Sequence, residues 1–99
     1  MKHEVKEKTL TIYLEGEINS SNSEQVEKEV ESIMGSNAFS KVVLDFENVR
    51  YISSAGLRIV LSTQKQMNKQ GRMIVRNCNE DVMDVFEMTG FSNILDFGD

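Results

Sequence analysis

The sequence predicts an α/β domain with a mixed, mostly parallel β-sheet and elements in the order β-β-α-β-α-β-α-β. Two observations predict it. Short apolar, β-branched segments alternate along the chain with longer stretches whose apolar residues recur every three or four positions, as on one face of a helix. Parallel neighbours in a sheet need a crossover, and those helical stretches are long enough to supply it. A chain of 99 residues has room for one such domain, over residues 1–99, and a domain of that size buries roughly two-thirds of the surface its unfolded chain exposes.

Residues 4–18 read as two strands. Val5 opens a short one, Lys6-Glu7-Lys8 turns the chain, and Leu10, Ile12 and Leu14 then alternate with Thr11, Tyr13 and Glu15, one set for a buried face and one for a wet face. Gly16 interrupts the end of the second strand, and Asn19-Ser20-Ser21-Asn22-Ser23 is a polar loop of helix-capping residues. Val26, Val30, Ile33 and Met34 fall at helical spacing among Glu24, Glu27, Lys28, Glu29 and Glu31. Ser21 and Glu24 are spaced as a capping box, and Gly35 ends this helix.

After a Ser36-Asn37-Ala38 linker, Lys41-Val42-Val43-Leu44-Asp45-Phe46 is continuous rather than alternating, as in a central strand covered on both faces. A loop over residues 47–53 leads to a second helix with the stripe Leu57, Val60, Leu61 and Met67, stopped by Gly71. Met73-Ile74-Val75 is the next strand. Asn79 caps a third helix that turns Val82, Met83, Val85 and Phe86 inward and ends at Gly90, and Ile94-Leu95 reads as a last short strand.

Composition narrows the function. Eleven basic residues against sixteen acidic ones give a net charge of −5, which repels a nucleic-acid backbone and leaves no basic stripe, so direct binding of DNA or RNA is not expected. The longest apolar run, Val42-Val43-Leu44, is far short of a membrane span, and no signal segment opens the chain. The single cysteine, Cys78, has no partner for a disulfide or a zinc site and fits a reducing cytoplasm. The lone histidine, His3, lies in a terminus expected to fray, where no base or ligand would be held.

Chemistry-bearing motifs are sparse. Ser53 and Ser54 lack the preceding glycine of a G-x-S-x-G elbow, and Lys65 and Lys69, one helical face away, read as solvated charges rather than bases. Asp45 and Glu47 read as solvated strand-end acids with no second motif to complete a metal shell. The glycines are isolated and form no phosphate-cradling loop. Met34, Met67, Met73 and Met83 sit at core positions. No enzyme activity, metal or cofactor is therefore expected. Ser53-Ser54 stands apart because it joins a buried strand to an apolar helix, where a serine either caps the helix or is open to modification.

The run Val43-Leu44-Asp45-Phe46 followed by Tyr51-Ile52-Ser53-Ser54-Ala55-Gly56-Leu57 resembles the central strand and phosphorylation loop of bacterial STAS-domain anti-sigma factor antagonists. Gly16-Glu17-Ile18-Asn19 is similar to that family's G-E-[LI]-D turn, and Thr89-Gly90-Phe91 with Ile94-Leu95 to its closing segment, so the resemblance spans nearly the whole chain. It implies a STAS-type single domain, here without the helix the family usually adds after its last strand. Such an omission either exposes apolar sheet surface that favours a homo-oligomer or a partner, or removes a helix the fold does not need.

The same resemblance implies that Ser54, two places before the glycine, is the phosphorylated residue. Ser53 stands where the family commonly has aspartate, Ala55 where it has a second hydroxyl, and Asn19 where it has the other loop acid. The implied partners are an anti-sigma factor serine kinase, bound by the unmodified protein so that a sigma factor is freed, and a PP2C-type phosphatase that reverses the modification. Asn19, Ser20, Ser21, Ser53, Ala55, Gly56, Leu57 and Arg58 are the implied partner interface. A constitutive scaffold subunit with no phosphorylation cycle is the alternative.

Overall fold

A computed structural model describes residues 1–35 and 37–98; Ser36, in the predicted linker, and Asp99, at the chain's last position, lie outside the described residues. Among the described residues the sheet has four strands, Lys2–Lys6 (β1), Thr9–Ile18 (β2), Lys41–Ile52 (β3) and Arg72–Arg76 (β4), in spatial order β1-β2-β3-β4. β1 and β2 form an antiparallel hairpin, with Val5 opposite Leu10. Helices Ser23–Met34 (α1) and Leu57–Met67 (α2) carry the chain from β2 to β3 and from β3 to β4, so both of those pairs are parallel. Helix Glu80–Met88 (α3) follows β4.

The strand alternation sets where the core lies. Leu10, Ile12 and Leu14 of β2, Val42, Leu44 and Phe46 of β3, and Met73 and Val75 of β4 are each at most 1% exposed. They form one cluster with Val30 and Met34 of α1, Leu57, Ile59, Val60 and Met67 of α2, and Val82 and Phe86 of α3. Burial of each such side chain is worth about 2 kcal/mol, and Phe46 and Phe86 meet edge to face with ring centroids 6.0 Å apart. Met34, Met67 and Met73 are buried in this core and Met83 is half-buried against it.

The other face of the sheet carries Thr11, Tyr13, Val43, Asp45, Ile74 and Arg76. Val43 and Ile74 are buried there, outside the main cluster, and line a hollow with Phe97 and Gly98. β3 is thus covered on both sides, as its continuous apolar run predicts. Lys41, Arg76 and Asn77 line the same hollow, and the Phe97 ring packs against Phe86 of α3, with centroids 5.9 Å apart.

Residues 47–52, read as a loop, are the second half of β3. Opposite β2 the register advances from Tyr13↔Asp45 to Glu15↔Asn48, and from Gly16↔Val49 to Glu17↔Tyr51, so β3 twice inserts an extra residue. These bulges space the buried Phe46, Val49 and Ile52 by three rather than two, which hides the strand's period. Gly16, at φ 76°, takes the left-handed backbone that this irregular stretch requires.

Ile94-Leu95 is not a strand. A 3₁₀ turn at Phe91–Asn93 precedes it, and the Phe91 carbonyl accepts from both Ile94 N–H and Leu95 N–H at 3.1 and 3.0 Å, so neither amide is left for a sheet ladder. The segment touches β4 through Val75 N–H, which donates to Asp96 O at 2.8 Å. The predicted Ser21–Glu24 capping box is also replaced: Asn22 occupies the N-cap of α1 without a side-chain cap bond. Asn79 does cap α3, its Oδ1 accepting from Val82 N–H at 2.8 Å. His3, placed by sequence in a frayed terminus, is paired with Ile12 in β1. Among the described residues no helix is long and apolar enough to cross a membrane.

Candidate functional site

β2 and β3 end side by side at Ile18 and Ile52, at the carboxyl edge where open α/β sheets usually carry their sites. Ser53 N–H donates to Ile18 O at 2.8 Å, which fastens the serine turn to the start of the 19–22 loop. The Ser53 carbonyl then accepts from Gly56 N–H at 2.9 Å and Leu57 N–H at 3.3 Å, and the Ser54 carbonyl also accepts from Leu57 N–H at 3.3 Å. Residues 54–56 therefore form a turn that leads directly into α2.

Gly56 makes this seating possible. A Cβ there would lie 2.8 Å from Ile18 Cγ2 and from Ile52 Cγ1, closer than carbon atoms approach. Gly56 and Leu57, expected at the partner surface, are both buried, Leu57 at 4% exposure. They support the turn from beneath, because the first residue of the amphipathic stripe must face the sheet.

Ser54 is exposed and Ala55 half-buried. No side chain caps α2, whose N-cap position is Gly56, so Ser54 is not the cap its sequence position allowed. Ser53 faces inward, with its Oγ buried and without a hydrogen-bond partner among the described residues.

Asn19, Ser20 and Ser21 lie beside this turn through the Ile18 link. Asn19 Oδ1 accepts from Ser21 N–H at 3.0 Å and Ser21 Oγ–H at 2.6 Å, while Asn22 accepts from Asn19 N–H at 2.9 Å and donates to Glu17 O at 2.7 Å. Asn19 thus orders its own loop. Two exposed arginines carry the charge of this end: Arg58 lies 3.2 Å from Glu27 of α1, and Arg50 lies 3.5 Å from Glu17 of β2. Neither glutamate was a candidate on sequence, since Glu27 is 31 positions from its partner.

Asp45, read as a solvated acid, is 2% exposed. Its carboxylate accepts from Glu47 N–H at 2.9 Å, Arg76 Nε–H at 2.8 Å and Asn77 Nδ2–H at 3.2 Å. Burial pushes its pKa up, but these hydrogen bonds and the Arg76 charge outweigh that and hold it below the usual carboxylate range. Glu47 itself is exposed. Burial, helped by the Asp45 charge, pushes the Cys78 thiol up to about 12, so it stays protonated near neutral pH and is a poor nucleophile. Among the described residues no three of His, Cys, Asp and Glu converge as metal ligands.

Fold and site together define a small α/β domain that presents a serine turn, locked by backbone hydrogen bonds, at the carboxyl edge of its parallel strands. The chain belongs to the STAS domain family, whose model matches residues 1–99. It is 42% identical over 83 residues, 83% of this chain and 71% of the relative, to a Bordetella bronchiseptica protein named as an anti-sigma factor antagonist, BtrV. It is also similar to the anti-sigma factor antagonist SpoIIAA of Bacillus in two solved forms. The unphosphorylated form has a TM-score of 0.79 and 25% identity over 95% of this chain and 84% of that one. The phosphorylated form has a TM-score of 0.70 and 24% identity over 95% and 86%.

Proposed function

We propose that this protein is an anti-sigma factor antagonist controlled by phosphorylation of Ser54. Unmodified, it binds an anti-sigma factor that is also a serine kinase and so frees a sigma factor. The kinase transfers the γ-phosphoryl group of ATP to Ser54 Oγ, with loss of the hydroxyl proton and release of ADP, and the complex separates. A PP2C-type phosphatase hydrolyses the ester and restores binding. In this cycle the protein is ligand and substrate.

The observation that carries this reading is the exposed Ser54 hydroxyl on a turn whose backbone is held without it. A phosphate of about −1.5 to −2 charges placed there sits at the positive end of α2 and leaves the fold intact. A partner that had packed against a neutral hydroxyl must instead desolvate that charge, which costs several-fold to many-fold in affinity unless arginines face it. Asn19, Ser20, Ser21, Ala55 and Arg58 are the surface residues assigned to the contact, with Ser53, Gly56 and Leu57 shaping it.

Incubating the purified protein with its cognate kinase and labelled ATP tests the assignment. Wild type takes up label and Ser54→Ala takes up none; equal labelling of both removes Ser54 from the mechanism. A stable large complex isolated from the native cells with no phosphate on the protein would instead support a constitutive scaffold.

A further inference from the structure

The two arginines nearest the serine turn are both held by carboxylates of neighbouring elements, and one is in register with Ser54. Because the Leu57 N–H bonds back to the Ser53 and Ser54 carbonyls, the turn at 54–56 coils directly into α2, and Arg58, the second residue of that helix, follows Ser54 by one coil of backbone. The Arg58 side chain is 71% exposed and reaches across to Glu27 of α1, whose side chain is 20% exposed, at 3.2 Å. An exposed pair of single charges is weak. A phosphoserine carries about twice the charge of a carboxylate and offers three acceptor oxygens, and its pairing with an arginine fork is the stronger, bidentate kind.

We infer that phosphate on Ser54 captures Arg58 from Glu27, so that modification changes two charges on this surface and not one. This inference rests on Ser54 being the modified residue. In the unmodified protein Arg58 and Glu27 bridge α2 and α1 and nearly cancel. In the phosphorylated protein Arg58 turns back along α2 to the ester, and the Glu27 carboxylate is left on α1 without its cation. A partner that docks over the α1–α2 seam then meets both the new dianion, partly neutralised, and an uncovered acid on α1. Arg50 does not take this role, since it belongs to β3 and is engaged by Glu17 at 3.5 Å.

Full-length protein with phosphoserine installed at position 54 during translation allows a test that needs no kinase. Titration of the phosphoserine by ³¹P NMR reads its second pKa, which a captured arginine lowers. Arg58→Gln should raise that pKa by about 0.3–0.7 unit relative to wild type, the size of shift that exposed pairs give. Glu27→Gln, which frees Arg58, should lower it further, and Arg50→Gln should leave it unchanged. The ¹⁵N signal of Arg58 Nε should move on phosphorylation while that of Arg50 stays. Coincident titrations of wild type and Arg58→Gln, or a shift carried by Arg50→Gln alone, would overturn the capture. Neither result bears on whether a kinase labels Ser54, which the labelling of Ser54→Ala decides separately.

Discussion

At the scale of single residues, the missing side chain of Gly56 does most to seat the site. A methyl group there must push Ile18 and Ile52 apart at the ends of two paired strands. Gly56→Ala should destabilise the protein by about 1–3 kcal/mol, read as a lower urea midpoint at unchanged m-value; a variant as stable as wild type would mean that the turn is not pressed onto the strands. The place of Ser54 was legible in the sequence because a buried strand, a short polar stretch and an amphipathic helix follow one another there. The environment of Asp45 was not legible, because Arg76 and Asn77 lie 31 and 32 positions away and only the β3–β4 pairing brings them to it. The same holds for Glu27, an ordinary solvated charge on its own helix until α2 packs beside it.

Among the elements, the cap residue of α3 also hydrogen-bonds to β3. Asn79 accepts from Val82 N–H and also donates to the carbonyls of Val49 and Arg50 at 3.0 and 3.1 Å. Asn79→Ala should therefore cost about 1–2 kcal/mol, the upper range for a cap, while Asn79→Asp, which keeps the cap acceptor but cannot donate, should recover only part; full recovery would show that the cap alone matters. The cap was readable from sequence and the donation to β3 was not. Helices were the most legible elements, because their apolar stripes persist over whole turns. The second half of β3 was obscured because its bulges give a strand an apolar spacing of three. Ile94-Leu95 was misread because an apolar pair after a turn looks like a strand whether or not an amide is free to join the sheet. Leu95 is buried and Ile94 is 59% exposed, so the pair contributes one anchor instead of a ladder.

For the molecule as a whole, the Asp45 network links two strands and sets how stability responds to acid. Its pKa is depressed in the folded state, so its contribution is complete above the unfolded value of about 3.9 and is lost as pH falls through the lower folded value. Asp45→Asn should be about 2 kcal/mol less stable than wild type at pH 7, and this gap should begin to shrink as pH falls below about 4; urea unfolding across the acid range measures it, and a gap that does not narrow at all on acidification would mean the cost is one of shape and not of charge. The global order of elements was legible because each parallel pair demands a crossover, whereas the surroundings of Val43 and Ile74 were not, since nothing local marks Phe97 and Gly98 as lining the hollow beside them. The bond from Ser53 N–H to Ile18 O has a consequence in time. It holds the turn through main-chain atoms, so under the proposed cycle adding or removing the phosphate on Ser54 should call for no refolding step. Under the proposed cycle the protein keeps no memory of its own: its state lasts as long as the ester does, and the pace of the response belongs to the enzymes that write and erase it.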